Sequence, residues 1–201
     1  MVNSEMDVFF PPGFQLETPR VMLRAMQPED LEIYKGLSND PDIWKFFTKD
    51  LSDHREMELW VKEALAEKTQ KKKMPFTVFD KDTKLICGST SYGNFSFFDN
   101  RVEIGWTWLG KEFIGMGVNR QAKFALLSYA FEVMKMERVE IKTDFLNERA
   151  KSALLKIGMK PEGVLRSHMQ MHSNRRRDTI YFSIIKNEWQ EKKENFFADL
   201  C

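Results

Sequence analysis

"EIGWTWLGKEFIGMGVNRQA", residues Glu103–Ala122, joins an alternating run to two glycines and then to a stretch with helical spacing. Side chains alternate across a strand, so Val102, Ile104, Trp106 and Trp108 fall on one face of an expected strand Arg101–Gly110. Glu103, Gly105, Thr107 and Leu109 fall on the other. Beyond the glycines, Ala122, Ala125, Leu126, Tyr129, Ala130 and Val133 form one apolar stripe of a helix. A glycine inside a helix costs roughly 0.5–1 kcal/mol relative to alanine. Gly115 and Gly117, placed just where the helix begins, therefore mark a point that needs bare backbone. Strand, glycine loop and helix N-terminus together suit an anion, because orphan N–H groups point outward and the helix dipole favours negative charge. The loop ends in no Gly-Lys-Ser/Thr, which excludes a Walker motif. It has neither the third glycine nor the parallel βαβ context of a dinucleotide fingerprint. Two glycines alone leave a plainer reading open, in which they only turn the chain and let the helix pack closely.

Outward from this segment, "PFTVFD" (Pro75–Asp80), "LICGSTSYGNFSFF" (Leu85–Phe98) and Arg101–Gly110 are strands joined by short turns, an antiparallel meander. Before them, "RVMLRAM" (Arg20–Met26) reads as a strand and Pro28 as the start of a helix. Met57, Trp60, Val61, Ala64 and Leu65 give a second helix over Asp53–Gln70, with Lys71–Lys73 as its solvated end. After the glycine-led helix come the strand "RVEIKTDFL", the helix "NERAKSALLKIGM" closed by Gly158, and two strands joined by a polar loop at His172–Arg176. Pro11, Pro12 and Gly13 punctuate an extended arm. The expected division is an arm at 1–17, one domain at 18–191 and a tail at 192–201.

The 201 residues and 42% hydrophobic content suit a single domain with a real core. Thirty-one Lys and Arg against 30 Asp and Glu leave no broad footprint for nucleic acid. Cys87 and Cys201 are too far apart in sequence to suggest a structural disulfide, which favours a reducing, cytoplasmic setting. The first residues lack the charged and apolar regions of a signal peptide, and no apolar run is long enough to cross a bilayer. His54, His168 and His172 show no metal-ligand spacing with the cysteines.

Four segments, "EIGWTWLGKEFIGMGVNRQAK", "RVEIKTDFLNERAKSALLKIGMKPEGVLRSH", "RDTIYFSIIKNEW" and the preceding strands from Thr18, resemble in order and spacing the GNAT superfamily of acyl-CoA-dependent N-acyltransferases. The branch most similar is that of the ribosomal-protein N-terminal acetyltransferases. The resemblance implies an α/β (α+β) fold with a mixed, mainly antiparallel sheet of about seven strands and flanking helices. Its fourth and fifth strands, here Arg101–Leu109 and Arg138–Phe145, are expected parallel and splayed. It implies acetyl-CoA as co-substrate with no metal, and an amine acceptor, either a protein N-terminus or a small amine. Neither nucleic acid nor membrane is an expected partner, and the chain is expected to be a monomer or homodimer.

The family pattern Gln/Arg-x-x-Gly-x-Gly/Ala falls on Ile114, Gly115, Met116, Gly117, Val118 and Asn119. Gly117 matches, whereas Ile114 and Asn119 depart from it. The resemblance implies that main-chain N–H groups of Gly115–Asn119 hold the pyrophosphate and that Thr107, Trp108 and Leu109 pair with the pantetheine arm. Asn147 matches an asparagine beside that arm. The serine expected near the sulfur is Ala150 here, and Ser152 points elsewhere on the helix, so the general acid stays unassigned; Tyr92 and Tyr181 are candidates, with core packing the alternative. Glu103 is the candidate base, acting through a water in the hollow beside Gly105; the alternatives are exposure to solvent or pairing with a basic neighbour. Trp44, Phe46 and Phe47 serve either the core or the acceptor wall. Arg175–Arg177 is a solvated basic loop or a contact for an acidic protein.

Overall fold

The computed structural model describes residues 5–200 as one eight-stranded sheet with helices on both faces. The chain order is α1 (Glu5–Phe9), β1 (Gln15–Glu17), β2 (Val21–Ala25), α2 (Asp30–Leu37), α3 (His54–Thr69), β3 (Lys73–Asp80), β4 (Leu85–Ser96) and β5 (Arg101–Leu109). Then follow α4 (Val118–Ser128), β6 (Arg138–Asp144), α5 (Glu148–Leu155), β7 (Lys160–Gln170), β8 (Arg176–Ile185) and α6 (Lys186–Phe197). The strands lie in the order β1-β2-β3-β4-β5-β6-β8-β7, and only β5 and β6 run parallel. The expected seven strands become eight because β1, in the segment read as an extended arm, pairs antiparallel with β2. That arm is also held from within: Phe10 and Phe14 lie among Phe76, Tyr92 and Tyr129. Cys201, expected to form no disulfide, lies outside the described residues. No helix among the described residues is long and apolar enough to cross a membrane.

Two apolar layers hold the sheet. One packs α4, α6 and Leu154 of α5 against Val21, Leu23, Phe76, Tyr92, Val102, Ile104 and Phe182. The other packs α2 and α3 around Trp44, Trp60 and Trp108. Trp44 is fully buried and its indole donates to the Ser38 carbonyl at 2.9 Å, so it belongs to the core. Between α2 and the sheet, Thr77 donates to Asp30 at 2.5 Å and shares a hydrogen bond with Tyr34 at 2.7 Å.

Two irregularities change the expected faces. In β5 the pairing with β4 shifts between Ser89 and Ser91, and Trp106 has φ +53°. A bulge inserts one residue and reverses which side chains point where. Trp106 and Trp108 consequently leave the face of Val102 and Ile104 and join the α2/α3 layer, while Leu109 packs on the α4 side. At the end of α4 a π-helical turn, Tyr129–Val133, adds a residue to the turn. Val133 is thereby exposed, and Phe131 and Met134 take the buried places.

Lys71–Lys73 is not simply a solvated end. Lys71 pairs with Asp7, and Lys73 is buried at the start of β3, with Nζ 3.1 Å from Glu67 and 4.1 Å from the Trp106 ring centre.

Candidate active site

The parallel ladder of β5 with β6 covers only Arg101–Glu103 against Arg138–Glu140. Arg101 of β5 reaches Glu140 of β6 at 3.3 Å and ties the two strands at this end, while Arg138, on β6 itself, contacts the same carboxylate at 3.0 Å. Beyond it β6 stays with β8 while β5 stays with β4, through Ser89–Trp108 and Gly88–Leu109. The edge of β5 from Ile104 to Leu109 therefore opens toward a gap, and its backbone groups on that side have no ladder partner. Thr107, Trp108 and Leu109 lie on this open edge.

The glycine loop lies at the mouth of the same gap. Gly115 and Gly117 both have φ +84°, in the left-handed region, and a Cβ at either would meet nothing within 4 Å. Their need for glycine is thus conformational rather than steric. Gly117 caps α4 without any side-chain acceptor, so the first-turn N–H groups keep the outward orientation of an anion site. Ile114, at the departing motif position, packs partly buried against the main core. Val118 is buried, and Asn119 keeps its Oδ1 buried with no hydrogen-bond partner.

Sequence reasoning missed what holds this loop. The Arg20 guanidinium donates to the Met116 carbonyl at 2.7 Å and forks onto Asp80 at 3.0 and 2.9 Å. A bond across 96 positions leaves no local signal. It turns the Met116 carbonyl toward β2 and steadies the peptides around it.

Glu103 lies on the α2/α3 face and is 3% exposed. Its Oε2 accepts from Asn94 Nδ2 and from Lys142 Nζ, each at 2.7 Å. Of the two alternatives to a catalytic role, exposure is removed and the basic partner is present. Its Oε1 points at the bare Cα of Gly105, where a Cβ would stand 2.9 Å away. The carboxylate thus occupies the space that the missing Gly105 side chain leaves.

Asn147 is buried and its Oδ1 accepts from the Ala150 N–H at 3.0 Å, capping α5. Its NH2 group is the part left for a ligand. Ser152 is exposed on α5. If capping is the whole role, Asn147→Ala should cost about 0.5–2 kcal/mol of stability and Asn147→Ser almost none, both with normal kinetics. If the NH2 group also holds substrate, Asn147→Ser should melt normally yet work poorly. Thermal melts beside steady-state kinetics distinguish the two.

Of the candidate acids, Tyr92 is fully buried and donates to the Leu126 carbonyl; burial holds its phenol well above the usual range. It is a core residue. Tyr181 is half-buried beside His168 and Lys142. Burial pushes the Cys87 thiol up to about 12, which removes it as a nucleophile.

On the α2/α3 face a cavity of about 140 Å³ is lined by Phe47, Trp60, Glu63, Glu67, Trp106 and Trp108. Phe47 thus belongs to a pocket wall. The Trp108 indole N–H is buried there without a partner. The basic run is not a free patch: Arg175 pairs with Asp144, Arg176 reaches Ser167, and Arg177 is buried with Nε 3.0 Å from Thr179 Oγ1. His172 sits 3.3 Å from the Trp44 carbonyl and ties the β7–β8 loop to the segment after α2.

The chain is similar in sequence and in fold to known proteins. "Putative ribosomal N-acetyltransferase YdaF" of Bacillus subtilis is 33% identical over 108 residues, 54% of this chain and 58% of that protein. The chain therefore matches a little over half of that relative's length. "Uncharacterized N-acetyltransferase p20" of Bacillus licheniformis is 26% identical over 87% of this chain and 97% of its own. A GCN5-related N-acetyltransferase structure from Brucella melitensis shares the fold, with a TM-score of 0.84 at 23% identity over 94% of this chain and 86% of that one. The acetyltransferase (GNAT) domain model matches residues 20–160, well over half of the 201. An open β5 edge beside a glycine-led helix agrees with that match, and the chain belongs to the GNAT acetyltransferase family.

Proposed function

We propose that this acetyltransferase uses acetyl-CoA and transfers the acetyl group directly to a primary amine, with a protein N-terminal α-amine as the preferred class. The observation that carries the reading is the three-residue limit on β5–β6 pairing, which leaves the backbone of Thr107–Leu109 open beside the N-terminus of α4. The donor set fits coenzyme A: two left-handed glycines with open space above them suit a pyrophosphate, and an unpaired strand edge suits amide groups of a pantetheine arm. N–H groups on that edge also polarise a thioester carbonyl.

The attacking amine must be neutral. A lysine side chain, at pKa about 10.4, costs about 4–5 kcal/mol to neutralise at pH 7; an α-amine, at about 7.7–8.0, costs only about 1–1.5. An α-amine therefore asks less of the base. Glu103 accepts from Lys142 and Asn94 through one oxygen and turns the other toward the bare Cα of Gly105. There it takes the amine proton through a water.

Acylation of a small amine or antibiotic is the second enzymatic reading. A coenzyme A-binding module without turnover is a third, and Ile114 and Ala150, apolar at motif positions, favour it. Coenzyme A release from acetyl-CoA, measured across peptides with free N-termini, polyamines and aminoglycoside-type amines, decides among them. Turnover confined to peptides supports the proposal. Binding of coenzyme A without release on any acceptor removes it in favour of the module.

A further inference from the structure

Lys123 stands in an unusual place. It lies on α4, 4% exposed, inside the apolar layer under the sheet. Its Nζ donates to Thr107 Oγ1 at 2.7 Å, and Thr107 shares a second hydrogen bond with Thr90 Oγ1 at 2.8 Å. Both partners are neutral. Burying an ammonium with no carboxylate at hand is costly, and burial alone brings this amine down to about 7. The bulge at Trp106 creates the contact, since without it Thr107 faces the opposite side. No step of the transfer described so far uses this lysine.

Its position gives it one. Thr107 belongs to the open edge of β5, where the thioester is read to lie. Lys123 sits about 7–8 Å along α4 from Val118, at 1.5 Å per residue, where α4 brings it from the glycine loop to Thr107 of β5. Glu103 approaches the same edge from the α2/α3 face and Lys123 from the α4 face. A base and a proton donor thus flank the gap from opposite sides. The position expected to supply a serine hydroxyl holds Ala150, which has no proton to give.

We propose that Lys123 is the general acid of the transfer, giving a proton from its ammonium to the coenzyme A sulfur as the carbon–sulfur bond breaks. The acceptor nitrogen bonds to the carbonyl carbon and loses its proton to the water held by Glu103. The electron pair of the broken bond goes to sulfur, which takes the Nζ proton and leaves as the thiol. Lys123 then regains a proton from water once the product departs. Burial raises the phenols of Tyr92 and Tyr129 in this layer and holds the Cys87 thiol up to about 12, while Glu132 at the far end of α4 is, against its own burial, lowered by Lys193 and Trp189. This assignment rests on the acetyl-CoA reading of the site.

The test uses the full chain with Lys123→Met and Lys123→Gln. Met fills the space without charge; Gln keeps a donor for Thr107 but gives up no proton. Both variants should fold. Because the folded amine has a depressed pKa, wild type forfeits stability once pH falls below the unfolded lysine value, in full below about 7, so Lys123→Met should melt higher there. Both should bind coenzyme A in calorimetry as wild type does, lower kcat by about 10²-fold and lose the basic limb of the kcat profile. Wild-type kcat in either variant, or a loss of coenzyme A affinity with kcat retained, overturns the assignment. Recovery in Gln but not Met also overturns it, because that pattern marks a structural hydrogen bond. If wild type itself binds no coenzyme A, the reading of the site fails, and this assignment with it.

Discussion

Glu103→Gln is expected to lower turnover by about 10²–10⁴-fold while acetyl-CoA affinity stays close to that of wild type. The amide keeps the shape of the carboxylate, so the packing over Gly105 and the Asn94 contact can persist. It cannot take a proton. The complication is Lys142, whose ammonium is 2.7 Å from Glu103 and loses its counter-charge. That loss alone could destabilise this corner of the sheet. Lys142→Met separates the two effects. In the Glu103→Gln, Lys142→Met double variant the stray charge is gone, so thermal stability should recover while turnover stays low. If the double variant recovers turnover as well, Glu103 serves only to pair Lys142. A kcat/KM profile whose acidic limb is unchanged in Glu103→Gln also removes it from the mechanism.

Gly117→Val should weaken coenzyme A binding on the order of 10–100-fold. The estimate follows from strain. Gly117 holds φ +84°, and a non-glycine residue in so sparsely populated a region costs about 1–3 kcal/mol, more readily for a β-branched one. At about 1.4 kcal/mol per tenfold, the loop escapes that strain by turning its N–H groups away from the anion. The site is open and exposed, so the fold should persist with a nearly normal melting temperature. Asparagine tolerates the left-handed region, and Gly117→Asn should retain more affinity than Gly117→Val. A folded Gly117→Val protein with wild-type affinity by calorimetry would falsify the assignment of this loop to the pyrophosphate.

The sequence by itself determined the antiparallel meander, the order of its elements and the glycine-led helix, while the mixed sheet came only as what the family resemblance implied. These are legible because their signals are local. Two glycines one residue apart, apolar residues at helical spacing and Asn147 before a helix each act within a few positions. The tertiary structure decided the rest, where a single inserted residue or a distant partner controls the outcome. The bulge at Trp106 sends Trp106 and Trp108 to the pocket wall and turns Thr107 to Lys123, because alternation counts residues and cannot see an insertion. Likewise the π turn expels Val133 from its stripe. Arg20 reaches Met116 from 96 positions away, Lys142 reaches Glu103 from 39, and Arg175 reaches Asp144 from 31. Each arginine or lysine reads in the sequence as an ordinary solvated charge. Only the folded sheet brings it to a carboxylate or carbonyl, because a charge seeks the nearest opposite group in space and not along the chain.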